Sequence, residues 1–128
     1  EVGDTATDFE HRTFADELAR CERYFFTTYE YGTSPGTAGR TSCIGRYVDA
    51  TSSYASIQVP HNKMRAVPTV VVYSTSDGAT GNLESDSGNK AVATQNIGSS
   101  AGGFINVNNS SVSVSQGVRC HVTLDAEL

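Results

Sequence analysis

Val112-Ser113-Val114-Ser115-Gln116-Gly117-Val118-Arg119-Cys120-His121-Val122-Thr123-Leu124 carries the clearest period of two in the chain. Val112, Val114, Val118, Cys120, Val122 and Leu124 share one parity, and Ser113, Ser115, Arg119, His121 and Thr123 take the other. In a strand that spacing sends apolar side chains to one face and polar ones to the opposite face. Working back from it, Ala55, Ile57 and Val59 alternate with Ser56 and Gln58, and Val70-Val71-Val72-Tyr73 is an unbroken apolar run suited to a strand covered on both faces. Turn-forming stretches separate these segments: Ser76-Asp77-Gly78, Thr80-Gly81-Asn82, Ser87-Gly88-Asn89, Gly98 to Gly103 and Asn108 to Ser111. About eight short strands with turns at this spacing predict a sandwich or barrel. The expected fold class is all-β, a jelly-roll-like β-sandwich.

One helix is expected ahead of the strands. Thr13 is placed to cap it, and Asp16 and Glu17 complement the positive end of its dipole. Phe14, Leu18, Cys21 and Phe25 follow at steps of four, three and four, a single stripe expected to dock on a sheet. The helix should end near Tyr24, since Phe25 to Tyr31 is aromatic and β-branched and runs into Gly32-Thr33-Ser34-Pro35-Gly36.

The 128 residues are 38% hydrophobic and 18% charged, a length that suits one domain with a real core. The formal net charge of -5 argues against a phosphate-tracking surface, so nucleic acid is not an expected partner. Residues 1–31 hold eight acids against three bases, and the remainder balances six with six. Residues 1–12 therefore read as a connector from an upstream domain and residues 13–128 as the head. The absence of a Met at position 1 suits a fragment or processed product. Membrane insertion is not expected, because no apolar run reaches the length of a span. Cys21, Cys43 and Cys120 form no CxxC pair and read as buried free thiols, with one disulfide plus a free cysteine as the alternative.

Two stretches resemble a pattern at the C-terminal end of bacteriophage tail-fibre and related virion appendage proteins. Glu1-Val2-Gly3-Asp4-Thr5-Ala6-Thr7-Asp8-Phe9-Glu10-His11-Arg12, with Glu17-Leu18-Ala19-Arg20-Cys21-Glu22-Arg23-Tyr24-Phe25, is similar to that family's "EGxxATxFEHR" joint and "ELAxCQRYF" helix; Met64-Arg65-Ala66-Val67-Pro68-Thr69-Val70 is similar to its "MRAxPTV" strand entry. Asp8 stands where Pro is common there, and Glu22 where Gln is. The resemblance implies a homotrimeric head at the distal end of a fibre, located on the virion, joined to an upstream shaft. It carries over no catalytic residue.

The residues themselves offer little enzyme chemistry. Cys43 or Cys120 could meet His61 or His121, but no local context assembles nucleophile, base and oxyanion donors. Glu84 and Asp86 flank Ser85 in what reads as a solvated polar loop, and Asp77 to Asp86 breaks the calcium-loop pattern. No catalytic residue, metal ligand or cofactor is expected. A binding face accounts for more: tyrosines stack on sugar rings while Asn and Asp bond hydroxyls. Tyr29, Tyr31, Tyr47, Tyr54, Tyr73, Asp77, Asn82 and Asn89 are the candidate contacts to a host-surface glycan or protein. Each such tyrosine can equally be a packed or inter-subunit ring, and the alternative function is a structural trimerisation cap or capsid-decoration protein without its own receptor.

Overall fold

The computed structural model describes residues 13–48, 54–108 and 115–127. The connector, the Val112–Val114 alternation and most of the Asn108–Ser111 turn lie outside the described residues. One helix, α1 (Phe14–Cys21), precedes nine strands: β1 (Phe25–Thr27), β2 (Ile44–Tyr47), β3 (Tyr54–Val59), β4 (Thr69–Ser74), β5 (Asn82–Ser85), β6 (Gly88–Ala91), β7 (Thr94–Ile97), β8 (Gly103–Asn108) and β9 (Gly117–Asp125). The chain is mainly β, in two antiparallel sheets. Among the described residues no helix is long and apolar enough to cross a membrane.

Strand β9 organises the larger sheet. Residues Thr123 to Asp125 pair with β1 and also with β4, so these two strands must lie on opposite edges of β9. Farther along, Val118 and Arg119 pair with β2 and with β5 in the same way. Strand β6 extends the sheet through a tight hairpin at Asp86 and Ser87. The smaller sheet is β3, β8 and β7, with Ile57 opposite Ile105.

The two sheets share one core, as in a sandwich. Val118, Cys120, Val122 and Leu124 enter it from β9, Val72 and Leu83 from β4 and β5, and Ala55, Ile57, Val59 and Ile105 from the smaller sheet. The alternation therefore has the expected apolar face. The other parity of β9 is not solvated: His121 is 2% exposed and Thr123 is also buried. The reason is the connection from Thr28 to Cys43, which folds back over the outer face of the larger sheet.

Helix α1 departs from expectation. It is shorter, because Glu22 caps it and the amides of Arg23 and Tyr24 close a tighter final turn. Ala126 N then donates to Tyr24 O, committing the chain to β1 at Phe25. Thr13 caps the start as expected, its side chain accepting from Asp16 N. The apolar stripe docks on nothing described: Phe14 is 82% exposed and no residue of α1 is buried. All three cysteines are free, but only Cys120 is buried; Cys21 is exposed and Cys43 intermediate.

Gly78 shows how the outer layer is held close. It has a φ of 75° and lies so near Gly36 that a Cβ would collide with the Gly36 carbonyl, whereas Gly81, at a φ of 72°, faces open space. Gly81→Ala is expected to cost about 1 kcal/mol, the ordinary penalty of a left-handed alanine. Gly78→Ala should cost at least about 2 kcal/mol more through the clash. Urea denaturation of the two variants measures the difference, and equal losses would mean that the Gly36–Gly78 approach is not close.

Candidate functional site

The site is built on the outward parity of β9 and on the Thr28–Cys43 connection that covers it. At its centre the His121 ring stacks on Tyr29, with centroids 4.0 Å apart and planes 17° from parallel. His121 Nδ1 is 3.1 Å from Thr28 Oγ1 and Nε2 is 3.2 Å from the Gly39 carbonyl oxygen. A carbonyl only accepts, so Nε2 carries the proton. Thr28 Oγ1 accepts from Val122 N at 2.9 Å, which leaves its own proton to donate to Nδ1. The four groups form one chain that ties the connection to β9 and is fully satisfied by the neutral imidazole. Burial accordingly holds the His121 pKa below the ordinary 6.5, partly offset by the bond to Gly39.

Tyr29 is fixed from its other end as well. Its hydroxyl accepts from Gly36 N at 3.0 Å, and its ring meets Tyr73 edge-on, 5.8 Å between centroids. Burial raises its pKa. Gly39 N bonds the Thr75 carbonyl, pinning the far limb of the connection to the end of β4.

Above the Tyr29–His121 stack lies a cleft of about 220 Å³ rimmed by Glu30, Thr33, Thr37 and Thr41. Glu30 is exposed, with Ser42 Oγ 3.4 Å from its Oε1, and Thr33 N bonds its carbonyl oxygen. Thr37 Oγ1 donates to the Ser34 carbonyl at 2.7 Å, which leaves its lone pairs as acceptors. The cleft combines a ring of hydroxyls and one carboxylate over the buried Tyr29–His121 pair. That set suits a polyhydroxylated ligand, whose hydroxyls need both donors and acceptors.

Beside the cleft a charge network locks the same connection to β5. Glu84 is 5% exposed and accepts from Arg40 and from Thr75 Oγ1, with Arg119 Nη1 3.6 Å away. The Arg40 bond is the main reason its pKa falls below the usual carboxylate value. Asp86 accepts from Gly117 N at 2.7 Å and from Arg119 Nη2 at 2.8 Å, and its pKa falls for those two reasons in that order. The sequence reading of Glu84 as a member of a solvated loop is corrected here, because β5 carries Glu84 beneath Arg40 and the connection, whereas Asp86 is exposed in the hairpin that follows.

The eight candidate contacts do not form one site. Tyr29 and Tyr73 come together beneath the cleft, but Tyr29 is buried and its ring face is taken by His121. Tyr31 is fully exposed on the connection, and Tyr47 is 69% exposed at the opposite end of the face, near a shallower groove with Gly45, Gly117 and Arg119. The Tyr54 side chain lies outside the described residues. Asp77 accepts from Ala79 N and from Asn89 Nδ2, while Asn89 Oδ1 accepts from the Ser74 and Ser76 hydroxyls. Asn82 Nδ2 donates to the Thr80 carbonyl. These three shape the turns between β4 and β6. Glu30, Thr33, Thr37, Thr41 and His121 were not singled out as contacts; the threonine-rich run after β1 was their one visible signal.

Behind this face, on the core side of β9, burial pushes the Cys120 pKa up to about 12, far from thiolate formation at neutral pH. Among the described residues no three His, Cys, Asp or Glu side chains are grouped so as to hold a metal ion.

Two pH windows follow. Stability contributed by neutral His121 is complete above its unfolded pKa of 6.5 and drains as pH falls through that value toward the lower folded one. That of Glu84 is complete above 4.5 and is lost only on further acidification. Denaturation midpoints from pH 7.5 to 5.5 should fall for the wild type and stay flatter for His121→Phe. At pH 7, Glu84→Gln is expected to lose on the order of 2 kcal/mol, less than a fully buried pair because Arg40 is largely in solvent. Wild-type midpoints that ignore the upper window would contradict the neutral His121 chain.

No protein-family model, no curated protein and no solved structure matches this chain.

Proposed function

We propose that the chain is the receptor-binding head of a bacteriophage tail fibre or related virion appendage, attaching the virion to a host cell-surface glycan as a homotrimer. The observation that carries the binding part is the cleft over the buried Tyr29–His121 pair, where Glu30 and three threonines offer a carboxylate and hydroxyls at the rim. A rigid sheet beneath and a pinned connection above keep these groups in place before any ligand arrives, which limits the ordering cost of binding. The sequence blocks around Phe9 to Phe25 and Met64 to Val70 support the appendage reading, and the two-sheet antiparallel body supports a jelly-roll-type head. A single cleft of this size binds weakly; three copies on one appendage multiply weak contacts into useful avidity. The reading is of a binder, with no bond-breaking step.

A second reading, a structural cap or decoration protein without a receptor, is favoured by one observation: the exposed stripe of α1 points to assembly rather than to ligand. Glycan arrays probed with the intact protein separate the two. Binding to a subset of host-surface glycans is expected. Glu30→Ala and Thr37→Val, both exposed, should weaken it at least about tenfold, since each leaves a ligand hydroxyl unmatched, while lowering the melting temperature only slightly through the lost Ser42 and Ser34 bonds. Retained binding in both variants would remove the cleft from the proposal, and no glycan bound at all would favour the cap.

A further inference from the structure

We propose that the glycan lies along β9, across both the cleft and the groove beside Tyr47, so that the ligand is an extended run of sugars and not a single terminal one. This rests on the glycan reading of the cleft and adds to it a second subsite and a minimum ligand length.

The two openings share one face. Gly117, Arg119 and His121 have the outward parity of β9, and Gly45 and Tyr47 of β2 stand directly opposite Arg119 and Gly117. Residues opposed in antiparallel strands send their side chains to the same side of a sheet. His121 lies at the cleft, and Gly45, Tyr47, Gly117 and Arg119 line the groove. The covering connection joins them as well, since Thr41 rims the cleft and Cys43 lines the groove. Along β9 the step from His121 to Gly117 spans about 14 Å, enough for about three linked sugar rings and too long for one.

Each opening supplies what the other lacks. The cleft offers a carboxylate and hydroxyls, but the Tyr29 ring beneath it is buried against His121. The groove offers a free ring face: Tyr47 is 69% exposed, and among the described residues no other ring or cation stacks on it. The groove floor is bare backbone. A Cβ at Gly45 would lie 2.8 Å from the Val118 carbonyl oxygen, and one at Gly117 would lie 2.7 Å from Arg119 Nη2, so the fold keeps both positions free of side chains. Glycine in a strand also lets a ligand approach the backbone closely. Arg119 forms the wall, held by Asp86 at 2.8 Å with Glu84 3.6 Å away, and a guanidinium has more N–H groups than those two contacts use. Sugar recognition needs both kinds of surface, a ring against the C–H face and polar groups at the hydroxyls. Size points the same way. The cleft holds about 220 Å³ and the groove about 290 Å³, each below the roughly 300–1,000 Å³ of ordinary ligand sites, whereas the two joined fall within that range.

Calorimetry of the intact protein tests this, with the array-selected glycan cut to fragments of increasing length. Affinity should rise at least about tenfold between a single sugar and a fragment of about three, then level off. Tyr47→Ala should remove that rise and leave single-sugar binding unchanged, whereas Glu30→Ala should weaken every length. Affinity that does not depend on length overturns the proposal and leaves the cleft as a site for one sugar. A full rise in Tyr47→Ala overturns it too. Should that variant fail to fold, the wild-type amide resonances of Gly45 and Gly117 decide: they should shift with the longer fragment and stay in place with the single sugar. Resonances unmoved by the longer fragment overturn the proposal. Binding at no length at all removes the receptor reading itself, and this extension with it.

Discussion

Strand β9 is hydrogen-bonded along both of its edges, to β1 and β2 on one side and to β4 and β5 on the other. Its inward residues supply four members of the core, so one segment specifies both the lateral order of the larger sheet and its contact with the smaller one. A shift of one residue in its register would exchange Val118, Cys120, Val122 and Leu124 for Arg119, His121 and Thr123. The penalty is heavy on both sides. Arginine would enter the core, and the imidazole would lose the two acceptor and donor groups that hold it.

The outward residues of β9 make the second layer possible. His121 reaches Thr28, Gly39 and Tyr29, and Arg119 reaches Glu84 and Asp86, so the imidazole meets the connection and the guanidinium meets β5 and the hairpin after it. Two glycines are needed for this. A Cβ on Gly45 would press on the Val118 carbonyl and Arg119 Cβ, and one on Gly117 would meet Arg119 Nη2 at 2.7 Å. The arginine therefore lies flat along the sheet toward its acids. Satisfied networks of this kind are stable, and lose most when one member is removed.

What the sequence made legible was whatever repeats at short range. The period of two in β9 and β3 announced strands with one apolar face, and Thr13 with Asp16 and Glu17 announced the helix start. The turn clusters also emerged close to where they were expected. What stayed hidden was every contact joining distant positions. His121 looked like one more polar residue facing water, because nothing local reveals that Thr28 and Gly39, more than eighty positions earlier, return to cover it. Glu84 looked solvated for the same reason, its cation lying at Arg40. Tyr29 was singled out as a ring, rightly in type, but whether a tyrosine offers or loses its face depends on a neighbour that only the fold supplies. The α1 stripe was legible as a stripe, but the expectation that it docks on a sheet was not met, because no residue of α1 is buried.

Strand order also bears on how the molecule is made. Within the larger sheet, β1, β2 and β4 have β9 as their strand partner, and β9 follows all of them in the chain. During synthesis those three segments must wait, edges unpaired and apolar sides uncovered, until residues near 117 leave the ribosome. The β5–β6 hairpin and the smaller sheet of β3, β8 and β7 can close earlier. Such long waiting favours slow, all-or-none closure and transient misassociation between nascent chains. The nascent molecule therefore benefits from a chaperone, or from rapid completion, more than a helical domain of equal size would.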